Sequence, residues 1–265
     1  MRIASLAPST TAMLQELGVA DQIVACTHFC PLPDMARRQL AIGSFSVLNE
    51  EKLAATKPDV VITATLVQAR GQQRLKEQGY QVLHLDPHRL TDIADNYAEL
   101  GKIVNREREG KKLQENFLGE FTKLQQESYN VRRRAYSFRV YMEEWHEPPF
   151  VSGNWVPDLV SAAGGQSVLI APGEPSRQIT LAELRQADPD LIIQHICLPP
   201  NRDWSDHRQA LMGQLTQRPG WHELAAVQRG AVISLNDSWF NMPTQAVLQG
   251  IKALRQALAG VVTYG

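Results

Sequence analysis

The sequence predicts an α/β protein of two lobes, each built on a parallel central sheet covered by helices, with one long helix joining them. Three observations carry this. Strand-like and helix-like segments alternate through the first 85 residues. A helical stripe of apolar residues follows, from Ile93 to Leu124. A short helix-strand unit of the first half then recurs in the second. The division is a first lobe over 1–104, a connecting helix over 105–131 and a second lobe over 132–265.

Residues 2–7 read as a buried strand. Pro8-Ser9-Thr10-Thr11 offers capping hydroxyls to a helix through Leu17 that Gly18 stops in the left-handed region. Ile23-Val24-Ala25 is the next strand. Asn49 caps a short helix through Leu53, and Lys57-Pro58-Asp59 leads into the strand Val60-Val61-Ile62-Thr63. A further helix ends near Gly79 before the strand Gln81 to Leu85. Apolar positions at Ile93, Tyr97, Leu100 and Val104 mark a helix, and the stripe resumes at Leu113, Phe117, Phe121 and Leu124. One helix over 106–129 spans roughly 36 Å at about 1.5 Å per residue; a break at Gly110 into two helices is the alternative. Arg132, Arg133 and Arg134 form a solvated charge run.

In the second half Tyr136 to Met142 reads as a strand, and Trp155-Val156-Pro157 opens a helix that stops at Gly164-Gly165. The internal echo lies between Asn49 and Thr180. Each is followed at the same offsets by a leucine (Leu53, Leu184), a Pro-Asp pair (Pro58-Asp59, Pro189-Asp190) and a strand (Val60-Val61-Ile62, Leu191-Ile192-Ile193). Ala231 to Leu235 is the last strand.

Composition narrows the function. The chain has 265 residues, 43% hydrophobic and 21% charged, with a formal net charge of -1. That balance disfavours a nucleic-acid binder held by phosphate contacts. No apolar run approaches the roughly 18 residues of a membrane span. The N-terminus lacks a secretory signal pattern, and three cysteines (Cys26, Cys30, Cys197) do not suggest a disulfide framework. The expected location is cytoplasmic if Met1 is the native start, and periplasmic or cell-surface if a signal peptide has been removed.

No nucleophile elbow, zinc-protease motif or glycine-rich phosphate loop occurs, so no catalytic residues are assigned. Cys26-Thr27-His28-Phe29-Cys30 offers metal-ligand types, but a structural zinc site needs about four ligands and no second pair follows. His28 is the better candidate for facing a ligand, because it lies just beyond a parallel strand, where open α/β sheets bind ligands. Phe45, Trp145, Phe150, Trp155, Trp239 and Phe240 all fall in loops or just outside strands. A flat ligand can pack against such side chains. Glu50, Glu51 and Glu183 sit in the first turns of the repeated short helices, where the helix dipole favours a carboxylate.

Several segments together resemble a known family. They are Ser5-Leu6-Ala7-Pro8-Ser9-Thr10-Thr11, Thr27-His28-Phe29-Cys30-Pro31, Lys57-Pro58-Asp59-Val60-Val61-Ile62 and Glu144-Trp145 with Pro148-Pro149-Phe150. Further on come Gly153-Asn154-Trp155-Val156-Pro157, Gly173-Glu174-Pro175-Ser176-Arg177, Arg218-Pro219-Gly220-Trp221 and Asp237-Ser238-Trp239-Phe240. The chain resembles the helical-backbone (class III) substrate-binding proteins of ABC transporters, and within them the cobalamin-binding group.

The resemblance implies two Rossmann-like lobes with a ligand held in a shallow cleft between them. It implies non-enzymatic binding of cobalamin or a related corrinoid, no intrinsic cofactor, and ABC-transporter membrane subunits as partners. The ligand-binding candidates are Pro8, Ser9, His28, Cys30, Phe45, Glu144, Trp145, Trp155, Glu174, Trp239 and Phe240. Phe45 stands where a first-lobe tryptophan is expected, and Trp239 matches the second-lobe one. Glu51 and Glu183 are the docking candidates, although Ala182 takes the strict second-lobe offset. Two departures flank the expected cleft: Pro31 after Cys30, and the loop after Thr63, which lacks a cysteine-containing segment. The rival readings are another metal chelate, haem or a metal ion held by Cys26, His28 and Cys30, and a corrinoid-modifying enzyme or delivery chaperone using Glu144 and His28.

Overall fold

The computed structural model describes residues 1–132, 137–196, 213, 215 and 217–262. Cys197, Arg133, Arg134 and the predicted strand start at Tyr136 lie outside the described residues. The chain divides into two compact units, Met1–Pro87 with Thr91–Asn116, and His88–Leu90 with Phe117–Gly265.

The first unit begins with β1 (Ile3–Ser5), α1 (Pro8–Glu16), β2 (Ile23–Cys26), α2 (Asp34–Leu40) and α3 (Glu50–Thr56). It continues with β3 (Val60–Ala64), α4 (Thr65–Glu77), β4 (Val82–Leu85) and α5 (Leu90–Ile103). Its four strands are all parallel in the order β2-β1-β3-β4. The strands are mostly apolar because both faces of such a sheet are covered; β3 is buried at every position. A core around Leu6, Ile42, Leu53, Val61 and Leu75 fills one side.

α6 (Glu107–Arg132) is one unbroken helix of 26 residues, about 39 Å long. Gly110 does not interrupt it, since a single glycine costs only about 1 kcal/mol against alanine. Residues up to Asn116 belong to the first unit and those from Phe117 to the second.

In the second unit come β5 (Arg139–His146), β6 (Pro149–Val151), α7 (Val156–Ala163), β7 (Gln166–Ser167), β8 (Arg177–Gln178), α8 (Leu181–Ala187) and β9 (Leu191–Gln194). They are followed by α9 (Ala225–Gln228), β10 (Val232–Ser234), α10 (Ser238–Asn241) and α11 (Val247–Val262). β10, β9 and β5 pair in parallel. β6 and β8 then extend the sheet antiparallel. The sequence predicts the parallel part but not the hairpin: β5 continues four residues past Met142, so Trp145 and Phe150 are cross-strand partners and not loop residues. Among the described residues no helix is long and apolar enough to cross a membrane.

The repeated unit has one physical explanation in both halves. Asn49 Oδ1 accepts the Lys52 amide at 2.8 Å, and Thr180 with Glu183 forms a reciprocal capping box. Each helix ends on a left-handed residue, Lys57 or Asp188. Each following Pro-Asp pair then ties the helix to the first strand of its own sheet. Asp59 Oδ2 accepts the Arg2 amide at 2.6 Å, and Asp190 Oδ2 accepts the Arg139 amide at 2.8 Å. The arginine side chains return the bond, to the carbonyls of Thr56 and Ala187. Asp59→Ala and Asp190→Ala should each destabilise the protein by about 1–2 kcal/mol, seen as a lower urea midpoint.

One local expectation is corrected. α1 is not capped by a hydroxyl: its N-cap is Ala7, with Pro8 in the first turn. Ser9, Thr10 and Thr11 are buried instead, and Ser5 Oγ lies 2.8 Å from Thr10 Oγ1 and 2.7 Å from Thr11 Oγ1.

Candidate ligand-binding surfaces

In the first unit the strand order reverses between β1 and β3. Ligands of open α/β sheets bind outside the carboxyl ends of the strands at such a point. The residues at that edge are Pro8 and Ser9 after β1, His28 and Phe29 after β2, the 43–48 loop, and Thr65-Leu66-Val67 after β3. Four hydrogen bonds hold these segments together. His28 donates its amide to the Gly43 carbonyl at 2.9 Å. The buried Gln68 accepts the Ala64 amide at 2.8 Å and donates to the carbonyls of Leu6 and Phe45, each at 2.8 Å.

Phe45 itself rides a tight turn, closed by Ser44 N–H to the Val47 carbonyl at 2.8 Å. Gly43 is required there: its φ is +154°, and a Cβ would meet the Val47 carbonyl oxygen at 2.2 Å. Thr65 holds φ +61°, a left-handed backbone rare for a β-branched residue. It leaves Leu66 and Val67 64% and 63% exposed; Val47 and Phe29 are 70% and 46% exposed. Exposed apolar side chains at one sheet edge mark a binding surface. The sequence reading overlooked these four and Gln68. The available signal was the seven-residue spacing of Gln68 from buried Leu75, which puts Leu66 and Val67 on another face of α4. Gln68→Ala should abolish the slow hydrogen exchange of the Ala64 amide and lower stability by about 1–3 kcal/mol.

The second unit positions its candidates by a ring of polar contacts. Glu144 Oε2 accepts the hydroxyls of Ser152 at 2.9 Å and Ser176 at 2.8 Å, and the Gly153 amide donates to Ser176 Oγ at 2.9 Å. Gly153 has no room for a side chain: a Cβ would lie 2.2 Å from the Glu174 carbonyl oxygen. Burial raises the Glu144 pKa above the usual carboxylate range, and the Ser176 and Ser152 hydroxyls oppose that shift. Glu144 therefore locks the hairpin to the 173–177 loop. Trp145 on that hairpin is 46% exposed, with its indole N–H bonded to the Glu147 carbonyl at 3.0 Å. Glu174 is exposed, and its carboxylate accepts the Ala171 amide at 2.9 Å. Trp239 is half-buried in α10, just past β10.

Four expected contacts are corrected by burial. Cys30 and Phe240 are 0% exposed, and Trp155 and Ser9 are each 6% exposed. Trp155 donates its indole N–H to the Phe240 carbonyl at 2.8 Å, so it fastens α7 to α10 from inside the unit. The Cys26-His28-Cys30 metal set does not assemble either. His28 is exposed while both thiols are buried, and no group of three or more His, Cys, Asp or Glu suited to a metal occurs among the described residues. Of the docking candidates, Glu51 is exposed and its carboxylate has no partner among the described residues, whereas its neighbour Glu50 pairs with Arg74 at 3.0 Å. Glu183 is committed locally, to Thr180 and to Arg177 at 2.8 Å. The Thr180 amide and the Arg177 guanidinium hold its pKa below the usual range.

Two α/β units sharing one long helix, with apolar and aromatic side chains at sheet edges, define a solute-binding fold. The chain belongs to the periplasmic binding protein family, whose model matches residues 3–238. It is similar to the vitamin B12-binding protein of Vibrio parahaemolyticus (serotype O3:K6), with 25% identity over 255 residues that cover 94% of this chain and 86% of the relative. Among solved structures it is similar to the periplasmic vitamin B12 binding protein BtuF of Vibrio cholerae. The TM-score is 0.78 at 22% identity, over 98% of this chain and 97% of that one. It is also similar to S. aureus IsdE complexed with heme, with a TM-score of 0.81 at 18% identity over 97% and 99% of the two chains. The structural likenesses establish the shared helical-backbone fold.

Proposed function

We propose that this chain binds a corrinoid, cobalamin or a close analogue, without transforming it, for uptake or intracellular handling. The observation that carries the reading is the exposed apolar rim of the first unit, Phe29, Val47, Leu66 and Val67 around Phe45. A corrinoid presents a broad, largely apolar face that such a rim desolvates. The vitamin B12-binding relatives support the same ligand class. Phe45, Trp145 and Trp239 are the proposed flat contacts, with His28, Glu174 and Pro8 beside them and Glu144 acting through the hairpin it holds. Glu51 is the proposed contact for ABC-transporter membrane subunits.

A second reading, haem, is favoured by the likeness to the heme complex of IsdE and by the exposed imidazole of His28 at the sheet edge. Calorimetric titration of ligand-free protein with cyanocobalamin, cobinamide and hemin separates the two. One-to-one binding of a corrinoid at micromolar or tighter affinity supports the first; saturation by hemin alone replaces it. Trp239→Ala should weaken corrinoid binding by about 1–3 kcal/mol, roughly 5- to 150-fold in Kd. An unchanged Kd removes Trp239 from the site.

A further inference from the structure

Cys26 and Cys30 are both free and both fully buried. Cys26 ends β2, and Cys30 closes the turn after it, its amide donating to the Thr27 carbonyl at 3.1 Å. Donors converge on the Cys30 sulfur. Thr11 Oγ1 donates from 3.0 Å and the Thr27 amide from 3.4 Å, and Thr27 Oγ1 lies 3.3 Å away. The Thr27 amide is the peptide link to Cys26, so the Cys30 sulfur lies against the Cys26–Thr27 peptide, and it also reaches the Ser5 carbonyl at 3.6 Å. Two buried thiols on either side of one turn, one of them surrounded by hydrogen-bond donors, form more than a packed pair of small core residues.

We propose that Cys26 and Cys30 are a redox modification site, which a hydroperoxide converts into a reversible disulfide. Hydrogen bonding, that with Cys26 foremost and then with Thr11 and Thr27, lowers the Cys30 pKa to about 6 against the effect of burial, which favours the reactive thiolate at this sulfur. The bond to Cys30, then burial, push Cys26 well above the ordinary thiol range, so it keeps its proton. With hydrogen peroxide, the Cys30 thiolate attacks one oxygen and the O–O bond breaks. The departing hydroxide takes the proton that Cys30 released and leaves as water. The Cys26 sulfur then attacks the Cys30 sulfenic sulfur, an S–S bond forms, the S–O bond breaks, and the hydroxyl leaves with the Cys26 proton as a second water. Two thiols are oxidised and one peroxide is reduced. A small neutral oxidant suits a buried pair, and an external dithiol reverses the reaction. The disulfide closes the short loop that carries His28 and Phe29. Any effect on ligand affinity rests on the corrinoid reading; the modification itself does not.

The test treats the native wild-type protein with hydrogen peroxide, then denatures, alkylates and digests it with trypsin. The peptide Ile3–Arg37 holds both cysteines and is separate from Cys197. It should emerge two hydrogens lighter and unalkylated, and recover both alkylations after dithiothreitol. In Cys26→Ser, Cys30 should instead accumulate sulfenic acid that dimedone traps. Recovery of the wild-type peptide with both thiols alkylated overturns the proposal, as does sulfinic acid forming on Cys30 as readily in wild type as in Cys26→Ser. The wild-type arm stands even if a variant fails to fold.

Discussion

Glu143→Ala is expected to destabilise the protein by about 3–5 kcal/mol, a large share of the roughly 5–15 kcal/mol that holds a domain together. Glu143 is 0% exposed and lies across the sheet from Gln194, its register partner. Its carboxylate pairs with the Arg218 guanidinium, whose second nitrogen donates to Oε2 at 3.2 Å, and Gln194 Nε2 donates to the same oxygen at 2.7 Å. Arg218 in turn stacks over Trp221, its carbon 4.5 Å from the ring centroid. Removing the carboxylate leaves a guanidinium only 15% exposed without its counter-ion and an amide without its acceptor. Arg218→Ala should cost a similar amount for the converse reason. The double replacement Glu143→Met with Arg218→Met should recover much of the loss, because a buried pair is costly to break but not to replace with apolar volume. Urea midpoints for the wild type, Glu143→Met, Arg218→Met and the double replacement give the coupling. Additive single effects would mean that the pair does not act as a unit.

The second large effect is acid lability from His195. This imidazole is fully buried, 4.9 Å from the Phe240 ring centroid. Asn241 donates its amide to the His195 carbonyl at 3.0 Å, which orients its Oδ1 toward Nδ1 at 2.9 Å. Nδ1 therefore carries the hydrogen, and Nε2 keeps a bare lone pair with no hydrogen-bond partner among the described residues. Burial lowers the pKa to about 4, against the Asn241 bond that would raise it. Above about pH 6.5 the side chain is neutral in both folded and unfolded chains and contributes nothing. As pH falls below that, the unfolded chain binds a proton that the folded one refuses. Stability is then lost at about 1.4 kcal/mol per pH unit, to a total of about 3 kcal/mol near pH 4. Glu16 and Glu144, raised by burial, run the opposite way. His195→Phe should flatten the fall between about pH 6.5 and 4 in midpoints followed by circular dichroism. A slope unchanged in that variant assigns the lability to other groups.

Both effects concern residues that the sequence reading passed over or quoted only as part of a motif. Arg218-Pro219-Gly220-Trp221 supports the family resemblance, but its arginine neutralises Glu143, 75 positions away. Glu144, Gly153 and Ser176 likewise stand out as segments, and only folding shows them to be one ring of bonds that holds the Trp145 hairpin. The Pro-Asp echo was visible at matching offsets. Its reason, an aspartate bonded to the start of the first strand of its own sheet, lies in the tertiary structure.

Periodicity and local chemistry determined what depends on near neighbours in the chain. These were the α/β alternation, the caps at Asn49 and Thr180, the stop at Gly164 and the long helix from Glu107 to Arg132. They are legible because helix caps, backbone stops and apolar stripes act over a few residues. Tertiary structure alone decided which candidates face outward. Nothing local separates exposed Trp145 from buried Phe240, or exposed His28 from buried Cys30, because burial is set by what distant strands and helices lay against each side chain. The same holds for Leu66 and Val67, apolar residues that stand exposed just after Thr65 turns the backbone at the end of β3.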